Sequence, residues 1–139
     1  MMKSYISKFL ALVLVVVVSF FGAIDNANAE SAPLTGNYGE DTIVVLNNLK
    51  EVIALPNDMD IKEKKQIQAD AKNQMNSYIS RYRKNSKYNG LKSFTTMQTA
   101  LNSLAGYYTT FGARPLPEKL SKRLKQEFRQ VEFALKKGY

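Results

Sequence analysis

Apolar positions return along this chain at the period of a helix, not of a strand. Tyr38, Val45, Leu46, Leu49, Val52 and Ile53 recur at spacings of three, four and seven, which is one face of a helix. Glu40 and Asp41 sit in its first turn, where negative charge suits the helix dipole, and Pro56 stops the run. Asp60 with Glu63 makes a capping-box-like start for a second face of Ile67, Ala71, Met75, Tyr78, Ile79 and Tyr82. The third segment has the cleanest pattern: Phe94, Met97, Leu101, Leu104, Tyr108 and Phe111 alternate steps of three and four, with Ser93 as the expected N-cap and Gly112 just past the end. The fourth follows Pro115-Leu116-Pro117 and turns Leu120, Leu124, Phe128, Val131 and Leu135 inward. No run alternates strictly as a half-buried strand would. Short polar connections make consecutive helices antiparallel neighbours. The prediction is an all-α fold, a single up-down-up-down four-helix bundle over residues 38–139. Residues 30–37, interrupted by Pro33 and Gly36, form a polar lead.

The N-terminus has a different pattern. Lys3 and Lys8 precede an apolar run from Phe9 to Phe21, and a more polar stretch ends in Ala27-Asn28-Ala29. Small residues at Ala27 and Ala29 are what signal peptidase accepts, so residues 1–29 read as a signal peptide cleaved after Ala29. The competing reading is an uncleaved anchor, but a spanning helix needs about 20 apolar residues. The run lacks a preceding Arg-Arg pair, which favours the general secretory route.

Composition removes most chemistry from consideration. The sequence contains no Cys, no His and no Trp. Disulfides are excluded, as are Ser-His-Asp and Cys-His catalysis and the usual ligands of zinc. No catalytic residue, metal site or cofactor is expected, and no cysteine is present to carry a lipid. The net charge is +8, of which the signal contributes Lys3 and Lys8 against Asp25. The sign points to acidic partners or surfaces outside the cytoplasm.

Arg81, Arg83, Lys84, Lys87 and Lys92, with Tyr82 and Tyr88 interleaved, form the densest basic cluster outside the last helix. It reads equally as a footprint for an acidic protein and as a helix C-terminus charged to suit its dipole; an exported chain has little occasion to meet nucleic acid. Arg114 and Lys119, flanking the start of the fourth helix, are candidates for the same docking surface. The acidic pairs Asp58/Asp60 and Glu40/Asp41 lack the ligand series of a calcium loop and are assigned to capping. Thr95, Thr96, Gln98, Thr99, Asn102, Ser103, Thr109 and Thr110 give the third helix an uncharged polar surface. That suits either a contact face or burial on more than one side. A second functional class stays open: an extracytoplasmic carrier whose intrabundle pocket would be lined by Tyr38, Tyr78, Tyr82 and Tyr108.

Several stretches carry a family likeness. They are Leu34-Thr35-Gly36-Asn37-Tyr38 with Asp41-Thr42, then Ile79-Ser80-Arg81-Tyr82-Arg83, then the run from Gly90 to Gly106, and Arg114-Pro115-Leu116-Pro117-Glu118-Lys119. In this order they closely resemble the Psb-twenty-seven family of photosystem II assembly and repair proteins. The resemblance implies a non-enzymatic four-helix protein of the thylakoid lumen, peripheral to the membrane and monomeric when free. Its implied partner is the photosystem II core, mainly the lumenal side of the chlorophyll-binding inner-antenna protein of forty-three kilodaltons. Its implied role is to hold intermediates ready for assembly of the manganese cluster. Many members resemble lipoproteins with a cysteine at the processing site; Ala29-Glu30 stands there in this chain, so the expectation is docking with no direct lipid anchor.

Overall fold

Four helices form where the apolar period is helical. The computed structural model describes residues 34–139; the expected signal peptide, its cleavage site at Ala27 and Ala29, and residues 30–33 of the lead lie outside the described residues. The elements are α1 (Tyr38–Ile53), α2 (Ile61–Arg83), α3 (Lys92–Phe111) and α4 (Glu118–Lys137), and no strand occurs among the described residues. Each helix packs along its two neighbours, α1 closing the ring against α4, while the diagonal pair α1 and α3 meets through side chains across the core. That adjacency is the one expected of a sequential antiparallel bundle.

The ends of the helices follow from local chemistry. The Asn37 side chain accepts the Glu40 N–H at 3.0 Å and caps α1. Asp60 caps α2 through the Glu63 N–H at 3.3 Å. Ser93 is not the cap of α3: Leu91 holds that position without a side-chain bond, and Ser93 lies inside the helix, fully buried. The reason is tertiary, because its hydroxyl is 2.7 Å from the Tyr38 hydroxyl on α1. Gly112 ends α3 at φ 64°, as its position suggested. At the end of α4, Gly138 turns left-handed; its N–H reaches the Leu135 carbonyl at 3.2 Å and the Tyr139 N–H reaches Ala134 at 2.8 Å, a Schellman closure.

The core is continuous along the bundle. Val45, Leu46 and Leu49 from α1 meet Met75 and Tyr78 from α2, Phe94, Met97, Leu101 and Leu104 from α3, and Leu124, Phe128 and Val131 from α4, all essentially without exposure. Each such side chain contributes roughly 1.5–3 kcal/mol through burial. The predicted faces shift at their edges. Ile53, Ile67, Ile79, Leu120 and Leu135 are half-buried, and Phe111, the last residue of α3, is exposed. Phe111 packs instead on Tyr107, whose hydroxyl donates to the Pro115 carbonyl at 2.7 Å and pins the connection to α4.

A basic end built on tyrosines and a buried aspartate

One end of the bundle collects the start of α1, the end of α2, the start of α3 and the end of α4. Tyr38 stacks on Tyr88 at 4.6 Å between ring centroids and meets Tyr82 edge-on at 5.2 Å. Tyr78 lies against Tyr82 at 5.3 Å and against Phe94 at 6.0 Å. The Ser93 N–H donates to a main-chain oxygen of Tyr139 at 3.3 Å, tying α3 to the end of α4. Every hydroxyl of the three buried tyrosines finds a partner. Thr42 donates to the Tyr38 carbonyl at 2.7 Å, so at 2.7 Å it accepts from Tyr78. Burial pushes the Tyr78 and Tyr82 hydroxyls well above the ordinary phenol range, keeping both neutral donors.

Asp41 holds this end to the lead. Its carboxylate, 1% exposed, accepts the Thr35 N–H at 2.7 Å, the Thr35 hydroxyl at 2.9 Å, the Gly36 N–H at 3.1 Å and the Tyr82 hydroxyl. Burial by itself would raise this carboxyl, but the bonds from Thr35, Tyr82 and Gly36 outweigh it and hold the group below its ordinary value. Gly36 adopts φ 91°, and the Arg81 Nη2 stands 3.2 Å from where a Cβ would be. The left-handed conformation calls for glycine there, and a Cβ would also press the end of the Arg81 side chain aside. The sequence assigned Asp41 to the helix dipole; its larger part, anchoring residues 34–36, was hidden because the donors come from two other segments.

Five of the predicted cations surround this scaffold. Arg81, Arg83, Lys84, Lys87 and Lys92 are all exposed, and Lys87 lies 5.5 Å from the Tyr88 ring centroid. Arg81 and Arg83 end α2 and Lys92 opens α3, while the segment between them, which carries Lys84 and Lys87, is wound into tight turns. Asn89 bonds back to Asn85 at 2.9 Å and its side chain donates to the Arg83 carbonyl at 3.1 Å. Arg114 and Lys119 are elsewhere: they follow the far end of α3, about 30 Å away along a helix of 20 residues. The seven candidates therefore divide between opposite ends and do not form one patch.

The pocket reading fails on the same geometry. Tyr38, Tyr78 and Tyr82 fill the space between them with their own rings, and Tyr108 belongs to the opposite end of α3. The core between the helices is occupied by fully buried side chains. Among the described residues no group of three or more acidic side chains could hold a metal ion, and no helix is long and apolar enough to cross a membrane. The uncharged surface of α3 is open: Thr95, Thr99, Asn102, Thr109 and Thr110 are exposed, so burial on several sides does not account for it.

The family model described as Photosystem II Pbs27 matches residues 3–135. The chain is 51% identical to the Photosystem II lipoprotein Psb27 of Synechocystis, over 99% of this chain and 97% of that one. It is 53% identical to the Photosystem II assembly factor lipoprotein Psb27 of Thermosynechococcus vestitus, over 73% of this chain and 75% of that one. The solution structure of Psb27 from cyanobacterial photosystem II superposes with a TM-score of 0.72 at 53% identity, covering 83% of this chain and 95% of the other. Two of these relatives are named as lipoproteins, which contradicts the expectation of docking without a direct lipid anchor at the level of those relatives; this chain itself contains no cysteine. With the four-helix fold and the match over nearly its whole length in agreement, the chain belongs to the Photosystem II Psb27 family.

Proposed function

We propose that this protein is a non-catalytic assembly factor that binds photosystem II intermediates during biogenesis and repair, on the lumenal side of the thylakoid membrane. The observation that carries the reading is family membership over residues 3–135, alongside a relative of 53% identity named a photosystem II assembly factor. The docking end is the basic one. Arg81, Arg83, Lys84, Lys87 and Lys92 stand exposed on a frame whose tyrosines and Asp41 are locked by hydrogen bonds, so binding orders little new structure. Positive charge on a preorganised end speeds encounter with an acidic partner and fixes orientation more than it adds raw affinity. The partner is the photosystem II core, chiefly the forty-three-kilodalton inner-antenna protein, held ready for assembly of the manganese cluster. Arg114 and Lys119, at the opposite end, are assigned at most a second contact. The free protein is a monomer.

The test is recovery of monomeric photosystem II intermediates with a tagged protein from a photosynthetic host. Antenna and reaction-centre subunits are expected in the eluate, and their absence overturns the proposal. Arg81→Glu with Arg83→Glu is expected to weaken recovery and flatten its dependence on salt. Recovery unchanged at several ionic strengths removes the basic end from the docking surface.

A further inference from the structure

The solvent side of α4 carries an excess of positive charge. Its three carboxylates are each taken up in an ion pair: Glu118 with Lys122, Glu127 with Arg123, and Glu132 with Lys50 of α1. No carboxylate among the described residues pairs with Arg129, Lys136 or Lys137, nor with Lys92 at the start of α3. Between that start and α4 runs an open groove lined by Lys92, Gln126, Arg129, Gln130, Phe133 and Tyr139. Phe133 is 62% exposed and Tyr139 58%. The Lys137 ammonium is 5.5 Å from the Phe133 ring centroid.

This combination has a recognisable chemistry. Exposed aromatic rings offer large contact area at little cost in side-chain freedom, and with arginine they are the residues that dominate binding energy at interfaces. Gln126 and Gln130, one turn apart, each present a donor and an acceptor to a passing backbone. No Asp or Glu side chain lines the groove, and its charged side chains, Lys92 and Arg129, are both cations, so they favour an anionic occupant. Its concavity suits a chain segment, whereas a bilayer meets protruding residues.

We infer that this groove docks an extended acidic segment of a partner protein, with an apolar side chain against Phe133 and Tyr139 and carboxylates on Lys92 and Arg129. The groove is separate from the Arg81–Lys87 surface except for Lys92, and its chemistry does not depend on which complex the protein serves.

The experiment titrates the purified protein with a fluorescein-labelled peptide of alternating glutamate and phenylalanine. A matched peptide with lysine for glutamate and anionic phosphatidylglycerol vesicles serve as the other arms. The acidic peptide is expected to bind, to shift the amide NMR signals of Lys92 and Arg129–Tyr139, and to lose affinity about tenfold or more in Arg129→Glu and in Phe133→Ala. Both side chains are exposed, so the unfolding midpoint of each variant serves as the control for folding. No binding, equal binding of the lysine peptide, shifts confined to other surfaces, or unchanged affinity in both variants overturns the inference. Vesicle binding that the two variants abolish, without peptide binding, overturns it in favour of a lipid surface.

Discussion

Asp41 is buried as an anion and satisfied on every side, so its charge matters to stability in one direction of pH. Its folded pKa lies below the ordinary carboxylate value, so its contribution is fully present above that value and is lost as pH falls through the lowered one. Asp41→Asn is expected to lose about 1.5–3 kcal/mol near neutrality, because charge-assisted bonds from Thr35, Gly36 and Tyr82 weaken together. Denaturation midpoints followed from neutral to strongly acidic solution check the sign: the variant and the natural protein should converge as the medium becomes acid. Thr42 makes a different kind of bond. It passes one hydroxyl proton to the Tyr38 carbonyl and receives one from Tyr78, both within the core. Thr42→Val keeps the shape and strands the Tyr78 hydroxyl, which is expected to cost about 1–3 kcal/mol in urea unfolding. Thr42→Val combined with Tyr78→Phe is expected to recover much of that loss, since the stranded donor is then gone.

At the scale of an element, α2 and α3 use positive charge in opposite ways. Arg81 and Arg83 lie in the last turn of α2, where a cation favours the negative end of the dipole, and a stabilising role alone could explain them. Lys92 opens α3, whose first turn contains no acidic residue and whose cap makes no side-chain bond. A cation at that positive end works against its own helix. The proposed docking would account for its presence, since Lys92 stands at the junction of the basic end and the α4 groove. Lys92→Glu is accordingly expected to stabilise the protein by about 0.3–1 kcal/mol in thermal or chemical unfolding, while weakening recovery of photosystem II intermediates. Gains in both measurements would make Lys92 irrelevant to docking. The threonines of α3 show a related economy: Thr99 and Thr109 donate to the Thr95 and Ala105 carbonyls of their own helix at 2.9 Å, so their exposed surface is largely methyl.

The whole molecule is held by one core that all four helices share. Leu101 is at its centre, without exposure, on the helix that carries the most regular apolar seam. Leu101→Ala is expected to cost about 2–5 kcal/mol, with the larger value if the surrounding side chains do not collapse into the space. Calorimetry or urea unfolding measures it. The same substitution should leave the charge of the basic end unchanged, so any docking defect it causes should scale with the fraction unfolded at the assay temperature. A chain without disulfides depends on this packing to keep the tyrosine end rigid.

The periodicity of apolar residues determined the four helices, their all-α class and most of the buried positions, because burial of one face is a local, repeating requirement. Missing cysteine and histidine likewise excluded disulfides and histidine chemistry without any geometry. Ser93, Asp41 and the divided cations needed the tertiary structure. Ser93 looked like a cap because caps are read from neighbours in sequence, yet its partner is Tyr38, on another helix. Asp41 looked like a dipole residue because the Tyr82 hydroxyl that completes its shell is supplied from the far end of α2. Arg114 and Lys119 looked like neighbours of Lys92 because charge runs carry no distance; the length of α3 separates them. Local order follows from the spacing of residues, while pairing between segments follows only from how the helices close around a common core.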